Sequence, residues 1–389
     1  MIETMAQGMR EELVEMRRKL HKTPETAFQE YQTSAYIKQK LTEFGIPFQP
    51  CAKTGIVALI EGEKQGKTVL LRADIDGLPI QEESGVDFAS EREGFMHACG
   101  HDVHTACLLG AAKILYAMRD ELHGAVKLVF QPAEEGVGGA LPMIEAGVME
   151  QPRVDAAFAL HVEPLEEVGN IQLKQGPVMA SPDDFEVIIT GVGGHGAAPQ
   201  NCVDPILTGA MIVNAYQTIV SRCFDPMTPC VVSVCSFHAG NCTNAIPETA
   251  ILTGTARSLD PQTRTALAAR LEHIAKSTAE SMGAKCAFKF KPLYPPLINH
   301  GDMNAVVEQC ANELDSVKNI VWLKEASMAG DDFSYFCERV PGAYFKLGVG
   351  NKKEGIHHPI HSPSFKVDED ALPIGAAMMA KIAVTYLNR

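Results

Sequence analysis

Residues 102–118 read DVHTACLLGAAKILYAM and lie between two apolar runs, TVLLRADID (68–76) and AVKLVFQP (125–132). The stretch carries Ala and Leu on a helical period behind Asp102, which is placed as an N-cap. The flanking runs are apolar almost throughout, as strands buried on both faces are. On either side, GIVALIEG (55–62) and DAAFALHV (155–162) repeat the strand pattern. Strands alternating with helices predict an α/β fold: a mixed, mostly parallel sheet flanked by helices.

The middle of the chain changes character. DFEVIITG (184–191) alternates like a half-exposed strand, a helix spans about Asp204 to Val220, and strands follow near 230–237 and 249–257. A second helix begins at LDPQTRTALAARLEHIAKSTAESM, with Asp260 as cap and Pro261 in its first turn, and AKCAFKF (284–290) closes the run. The order β-α-β-β-α-β is that of a ferredoxin-like unit. After the turn-rich KPLYPPLINHG (291–301), α/β patterning resumes with the strand GAYFKLGVG (342–350) and the helix ALPIGAAMMAKIAVTYL (371–387). The expected division is one α/β domain, 1–181 plus 295–389, interrupted by a smaller one at 182–294. The N-terminus reads as an amphipathic helix with Met9, Leu13, Met16 and Leu20 on one face.

Composition narrows the partners. Among 389 residues, 34 Lys plus Arg face 48 Asp plus Glu, a formal net charge of -14. Such a balance argues against nucleic acid or an anionic membrane as partner. No stretch approaches the ~18 apolar residues of a membrane span, and the acidic N-terminus lacks a secretory apolar region. The 11 cysteines are scattered singly. Reduced thiols and a cytoplasmic location are expected.

Polar residues gather where strands end. Asp74 and Asp76 close one strand; Cys99 and His101 sit in MHACGHDVH (96–104); Glu134 and Glu135 follow VKLVFQP. His161 ends DAAFALH, and His358 and His361 lie in GIHHPIHSP. In open α/β sheets, sites assemble at the carboxyl ends of strands. Imidazole, thiolate and carboxylate together suit divalent cations such as zinc and manganese. Singly, each residue reads equally well as a capping loop, a solvated pair or a polar turn. His97, His104 and His358 stay open between supporting and merely polar roles.

The motifs RADIDGLP, MHACGHDVHTA, FQPAEEGVGGA, LHVEP, GGHGAAP, NAIPE, GTARSLD, AGDDFSYF and HHPIHSPSF, in this order, resemble the aminoacylase/carboxypeptidase family of dinuclear metallohydrolases. More narrowly they resemble its branch of hippurate hydrolases, N-acyl-amino-acid amidohydrolases and plant auxin-conjugate hydrolases. The likeness runs from about His21 to the C-terminus. It implies a catalytic domain with an inserted ferredoxin-like lid that also dimerises. It also implies two divalent metal ions per subunit, manganese or zinc first, with nickel or cobalt as further candidates. The implied ligands are Cys99, His101, Glu135, His161 and His361. Glu134 would be the general base, and Asp76 would orient a ligand. Where other members of the family carry a metal-binding histidine two residues before the aspartate, this chain has Asp74, and Cys99 stands for their bridging carboxylate.

In the inserted segment, His195, Asn244 and Arg257 read from the residues alone as a loop histidine, a turn asparagine and a surface arginine. By resemblance, His195 reaches the partner subunit's site and stabilises the oxyanion. Asn244 and Arg257 hold the substrate's α-carboxylate or nearby polar atoms, and Gly330 lines the amino-acid side. Asp331 and Asp332 read equally as part of that lining or as caps of the next helix. The implied activity releases a free amino acid from an N-acyl-L-amino acid in a homodimer or dimer of dimers. The alternatives are a dipeptidase or carboxypeptidase with the same site, and a non-catalytic metal-binding protein.

Overall fold

The computed structural model describes residues 1–389, which form two compact units. The first comprises Met1–Gly176, Ile298–Glu325 and Asp332–Arg389. Its eight-stranded sheet runs Phe48–Cys51, Gly55–Glu61, His123–Gln131, Lys64–Asp74, Ala156–Glu167, Gly342–Gly350, Asn170–Leu173, Asn319–Trp322. The central four strands are mutually parallel, with antiparallel pairs towards both edges. The α/β architecture is thus the one expected.

The central strands are buried on both faces because helices cover both sides of them. His101–Ala117 and Ala371–Leu387 are themselves buried almost all round, which accounts for their Ala-rich composition. Gly110, inside the first of these, allows three helices to meet. A Cβ there would lie 2.6 Å from Leu13 Cδ2 and 2.9 Å from Ala376 Cβ. The N-terminal helix is two helices, Ile2–Gly8 and Arg10–His21, broken at Met9. Leu13, Met16 and Leu20 all enter the core.

Asp102 does not cap its helix. Gly100, at φ +83°, is the cap residue, and the helix starts at His101. The Asp102 carboxylate turns instead to Arg17 Nε and His21 Nδ1, both at 2.8 Å, and all three side chains are buried. A charge removed from water needs a strong partner, and a salt bridge outcompetes a terminal amide for this carboxylate.

The second unit comprises Pro177–Leu297 and Ala326–Asp331. Its four-stranded antiparallel sheet runs Cys230–Ala239, Thr249–Ser258, Ser181–Thr190, Lys285–Lys291, with helices Pro205–Thr218 and Pro261–Ser281. This is the ferredoxin-like βαββαβ order. Asp204 and Asp260 cap the two helices through their side chains, each followed by proline. Burial alternates along Thr249–Ser258, because only one face of the sheet packs on Ile212, Tyr216, Leu267 and Leu271. No helix of the chain is long and apolar enough to cross a membrane.

Candidate metal centre

Four segments of the first unit bring their polar tips together. Donor atoms of Cys99, His101 and His161 all lie within 4.8 Å of one another; the same holds for Cys99, Glu135 and His361, and for His101, Glu134 and Glu135. Cys99 and His101 come from the loop entering the helix His101–Ala117. His161 comes from the strand Ala156–Glu167, and the two glutamates from the turn after His123–Gln131. His361 is set by a left-handed backbone, φ +62°, and by its amide donating to Ala98 O at 2.8 Å.

His101 and His161 are each oriented through Nδ1, with Nε2 turned towards the cluster. His101 donates from Nδ1 to Asp76 Oδ1 at 3.1 Å, while its Nε2 is buried without a hydrogen-bond partner. His161 donates from Nδ1 to Val162 O at 2.7 Å, and its Nε2 stands 3.4 Å from Cys99 Sγ. Asp76 uses its other oxygen to accept from the Glu135 amide at 3.0 Å, tying a histidine to the glutamate turn. His361 Nε2 lies 2.9 Å from Glu135 Oε1.

His104 is engaged at both nitrogens. It accepts from the Val162 amide at Nε2, 2.9 Å, and donates from Nδ1 to Asp74. Asp74 in turn meets Arg72 Nη1 at 2.6 Å, and Arg72 Nη2 meets Asp332 Oδ1 at 3.0 Å. Asp332 also accepts from Gln131 and from the Ala140 amide. An unbroken buried chain therefore runs from Asp332 to the backbone beside His161. Asp332 is an anchor for Arg72 rather than a helix cap. An arginine inside an apolar strand is the signal for such a chain, since it demands buried anions. The second histidine of HDVH, one turn after His101 on the same helix face, is another.

His97 is buried with both ring nitrogens unpartnered, and lies outside the cluster. His358 stacks on His357, with ring centroids 5.1 Å apart, and is also outside it.

The electrostatics suit a cation. Burial pushes the Cys99 thiol well above its ordinary pKa, and Glu135, Glu134 and Asp74 push the same way. At His101 burial opposes the charge, but Asp74, Asp76 and Glu135 outweigh it and lift the pKa to about 10. His161 is held well below the histidine range by burial and by His104, which leaves a neutral imidazole. The cluster is rich in anions and holds protons where a cation could compete for the same lone pairs. The buried His101 Nε2, without a hydrogen bond and beside a thiol, an imidazole and carboxylates, fits a divalent metal.

The second unit brings its own site residues together in two separate places. His195 pairs with Ala245 in a two-stranded ribbon, and Asn244 lies beside it, accepting from the Gly196 amide at 2.8 Å. Arg257 pairs in register with Pro182, at the far end of the strand Ser181–Thr190 from the ribbon. Gly330 packs there too, since a Cβ would lie 2.7 Å from Pro182 Cγ. At ~3.3 Å per residue, the strand separates the two places by roughly 25 Å. One chain therefore cannot bring Asn244 and Arg257 to the same carboxylate.

Comparison with known proteins agrees with this architecture. The model of peptidase family M20/M25/M40 matches residues 70–385. Thermostable carboxypeptidase 2 of Saccharolobus solfataricus is 41% identical, over 97% of this chain and 96% of its own. N-acetylcysteine deacetylase of Bacillus subtilis is 39% identical, over 97% of both. A solved Bacillus subtilis structure, described as a dinuclear metal binding peptidase from the M20 family, superposes with a TM-score of 0.86 at 35% identity, covering 98% of this chain and 99% of its own. The chain belongs to peptidase family M20/M25/M40.

Proposed function

We propose that this chain is a metal-dependent amidohydrolase that cleaves N-acyl-L-amino acids, of hippurate or N-acetyl type, to a carboxylic acid and a free amino acid. The observation that carries the reading is the buried His101 Nε2, without a hydrogen bond, in overlapping donor groups that join it to Cys99, His161, Glu134 and Glu135 and join Cys99 and Glu135 to His361. Cys99, His101, Glu135, His161 and His361 would hold two divalent cations, zinc or manganese. Bound there, the metals would supply Lewis-acid polarisation of the scissile carbonyl and acidify water.

The chain's own groups would handle the proton. A water proton passes to a Glu134 carboxylate oxygen as the water oxygen bonds to the carbonyl carbon. The same proton then moves to the amide nitrogen as the C–N bond breaks. Asp76 accepts from His101 Nδ1 and so fixes the ring with Nε2 facing the cluster. His195 and Asn244 are assigned to the site of a partner subunit in a homodimer, and Arg257 and Gly330 to the amino-acid side. The separation of these pairs within one chain supports that division. Peptide cleavage is the second reading, favoured by the carboxypeptidase relative.

The test is amine release from benzoyl-glycine, N-acetyl amino acids and free dipeptides, using protein as purified, chelated, and resupplied with zinc or manganese. Release from the acylated substrates, lost on chelation and restored by metal, is expected. Release from free dipeptides alone would select the second reading, and none in any metal state would overturn both.

A further inference from the structure

Glu30 is fully buried, yet the partners of its carboxylate include no cation. It precedes the helix Tyr31–Phe44, but its side chain does not cap that helix. One oxygen instead accepts two backbone amides, Phe28 N and Ala133 N, each at 2.9 Å, and the other accepts from the Thr54 hydroxyl. Both amides belong to residues that L side chains adopt reluctantly. Phe28 and Ala133 are left-handed, at φ +57° and +59°. Ala133 lies directly before Glu134 and Glu135. The turn also rests on the N-terminal segment, because a Cβ on Gly136 would come within 2.9 Å of Ala27 Cβ.

Burying a carboxylate without a cation is unfavourable, and burial raises its pKa. A group retained at that expense and aimed across the chain at one strained amide has a definite mechanical effect. It selects the conformation of the turn that aims both glutamates.

We propose that Glu30 is a positioning residue, whose carboxylate clamps the left-handed Ala133 turn and thereby sets Glu134 and Glu135. The inference rests on the roles assigned to those two glutamates. It concerns distance and direction, not charge, so the amide isostere should serve and a shorter carboxylate should not.

The experiment compares E30Q, E30D and E30A for kcat and KM on the substrate turned over fastest. Zinc affinity of the apo-protein is measured by competition with a chromophoric chelator, and Tm is followed throughout. E30D and E30A should lose about 10–100-fold in both kcat and zinc affinity, the range for groups that orient ligands, with KM nearly unchanged. E30Q should stay within about threefold of wild type, since it keeps an acceptor oxygen. Adding A133G to E30D, which removes the left-handed penalty, should recover part of the loss, whereas F28G should not. If E30A fails to fold, E30D against E30Q still decides. Wild-type zinc affinity and kcat in folded E30D, or a loss that follows Tm and ignores A133G, would overturn the clamp. If the wild type cleaves no amide, the functional reading falls, while zinc affinity still tests Glu30.

Discussion

The two units treat their polar residues in opposite ways. In the first, Cys99, His101 and His161 are buried, and both histidines are held at Nδ1 by a partner that turns Nε2 towards the cluster. In the second, His195 and Asn244 sit exposed on a two-residue ribbon, where the His195 ring accepts only from the Ala197 amide. One region is organised before anything binds; the other presents its groups to solvent with few partners of their own. Preorganised groups give large effects when removed, because nothing can relax to replace them. The other groups should show their effect only in an assembled protein.

The sharpest way to break this comparison is at Glu134. E134Q should lower kcat by about 10³-fold, within the range of a missing general base, while zinc affinity stays at the wild-type level. Parallel loss of affinity would place Glu134 among the ligands instead. H195A should cost about 10²–10³-fold in kcat, as for a lost oxyanion donor. Mixing the inactive H195A and E134Q proteins under exchange conditions should then restore about a quarter of wild-type activity, since half of the dimers would carry one complete site. No recovery after confirmed subunit exchange would put His195 to work within its own chain.

A smaller effect is expected one bond further out. D76N keeps the shape but offers His101 Nδ1 a poorer partner, and zinc affinity should fall about 10-fold or more. Competition with a chelator measures it, and unchanged affinity would show that the ring is held by packing alone.

The mildest effect is on stability, at a buried cluster outside the proposed ligand set. His21 offers both nitrogens to carboxylates, Asp102 at 2.8 Å and Glu82 at 3.1 Å. Burial and Arg17 oppose its charge, but the two carboxylates prevail and raise its pKa. At Glu82 burial opposes ionisation, but the His21 hydrogen bond and charge lower the pKa. For a raised histidine, the stabilisation is complete below its unfolded value of about 6.5 and is lost as pH climbs through the folded value. Thermal unfolding of apo-protein from pH 5 to 9, on scale with that histidine range, should show wild type losing ground to H21Q with rising pH. Parallel curves would mean His21 is neutral throughout.

Much of this molecule was legible one segment at a time. GAYFKLGVG and ALPIGAAMMAKIAVTYL lie where their periodicity placed them, and the capping aspartates Asp204 and Asp260 do cap. Asp102 shows the limit: an acid at a helix start reads as a cap, and nothing nearby announces Arg17, 85 residues earlier. The role of Asp332 stays open in the sequence for the same reason, its partner Arg72 lying 260 residues away. Two short strands at the sheet margin, Asn170–Leu173 and Asn319–Trp322, escaped notice because four residues carry too little pattern.

What the amino-acid sequence determined by itself is the kind of each element and the chemical types available at the strand ends. Side-chain period and residue chemistry are local properties, and they survive reading one window at a time. Only the tertiary structure decided which nitrogen of each histidine is spoken for, that His104 faces Asp74, and that Glu30 holds Ala133. Hydrogen bonds are directional and short, so they are settled by where distant segments come to rest. That resting place is set by packing of the whole core, which no single stretch of sequence contains.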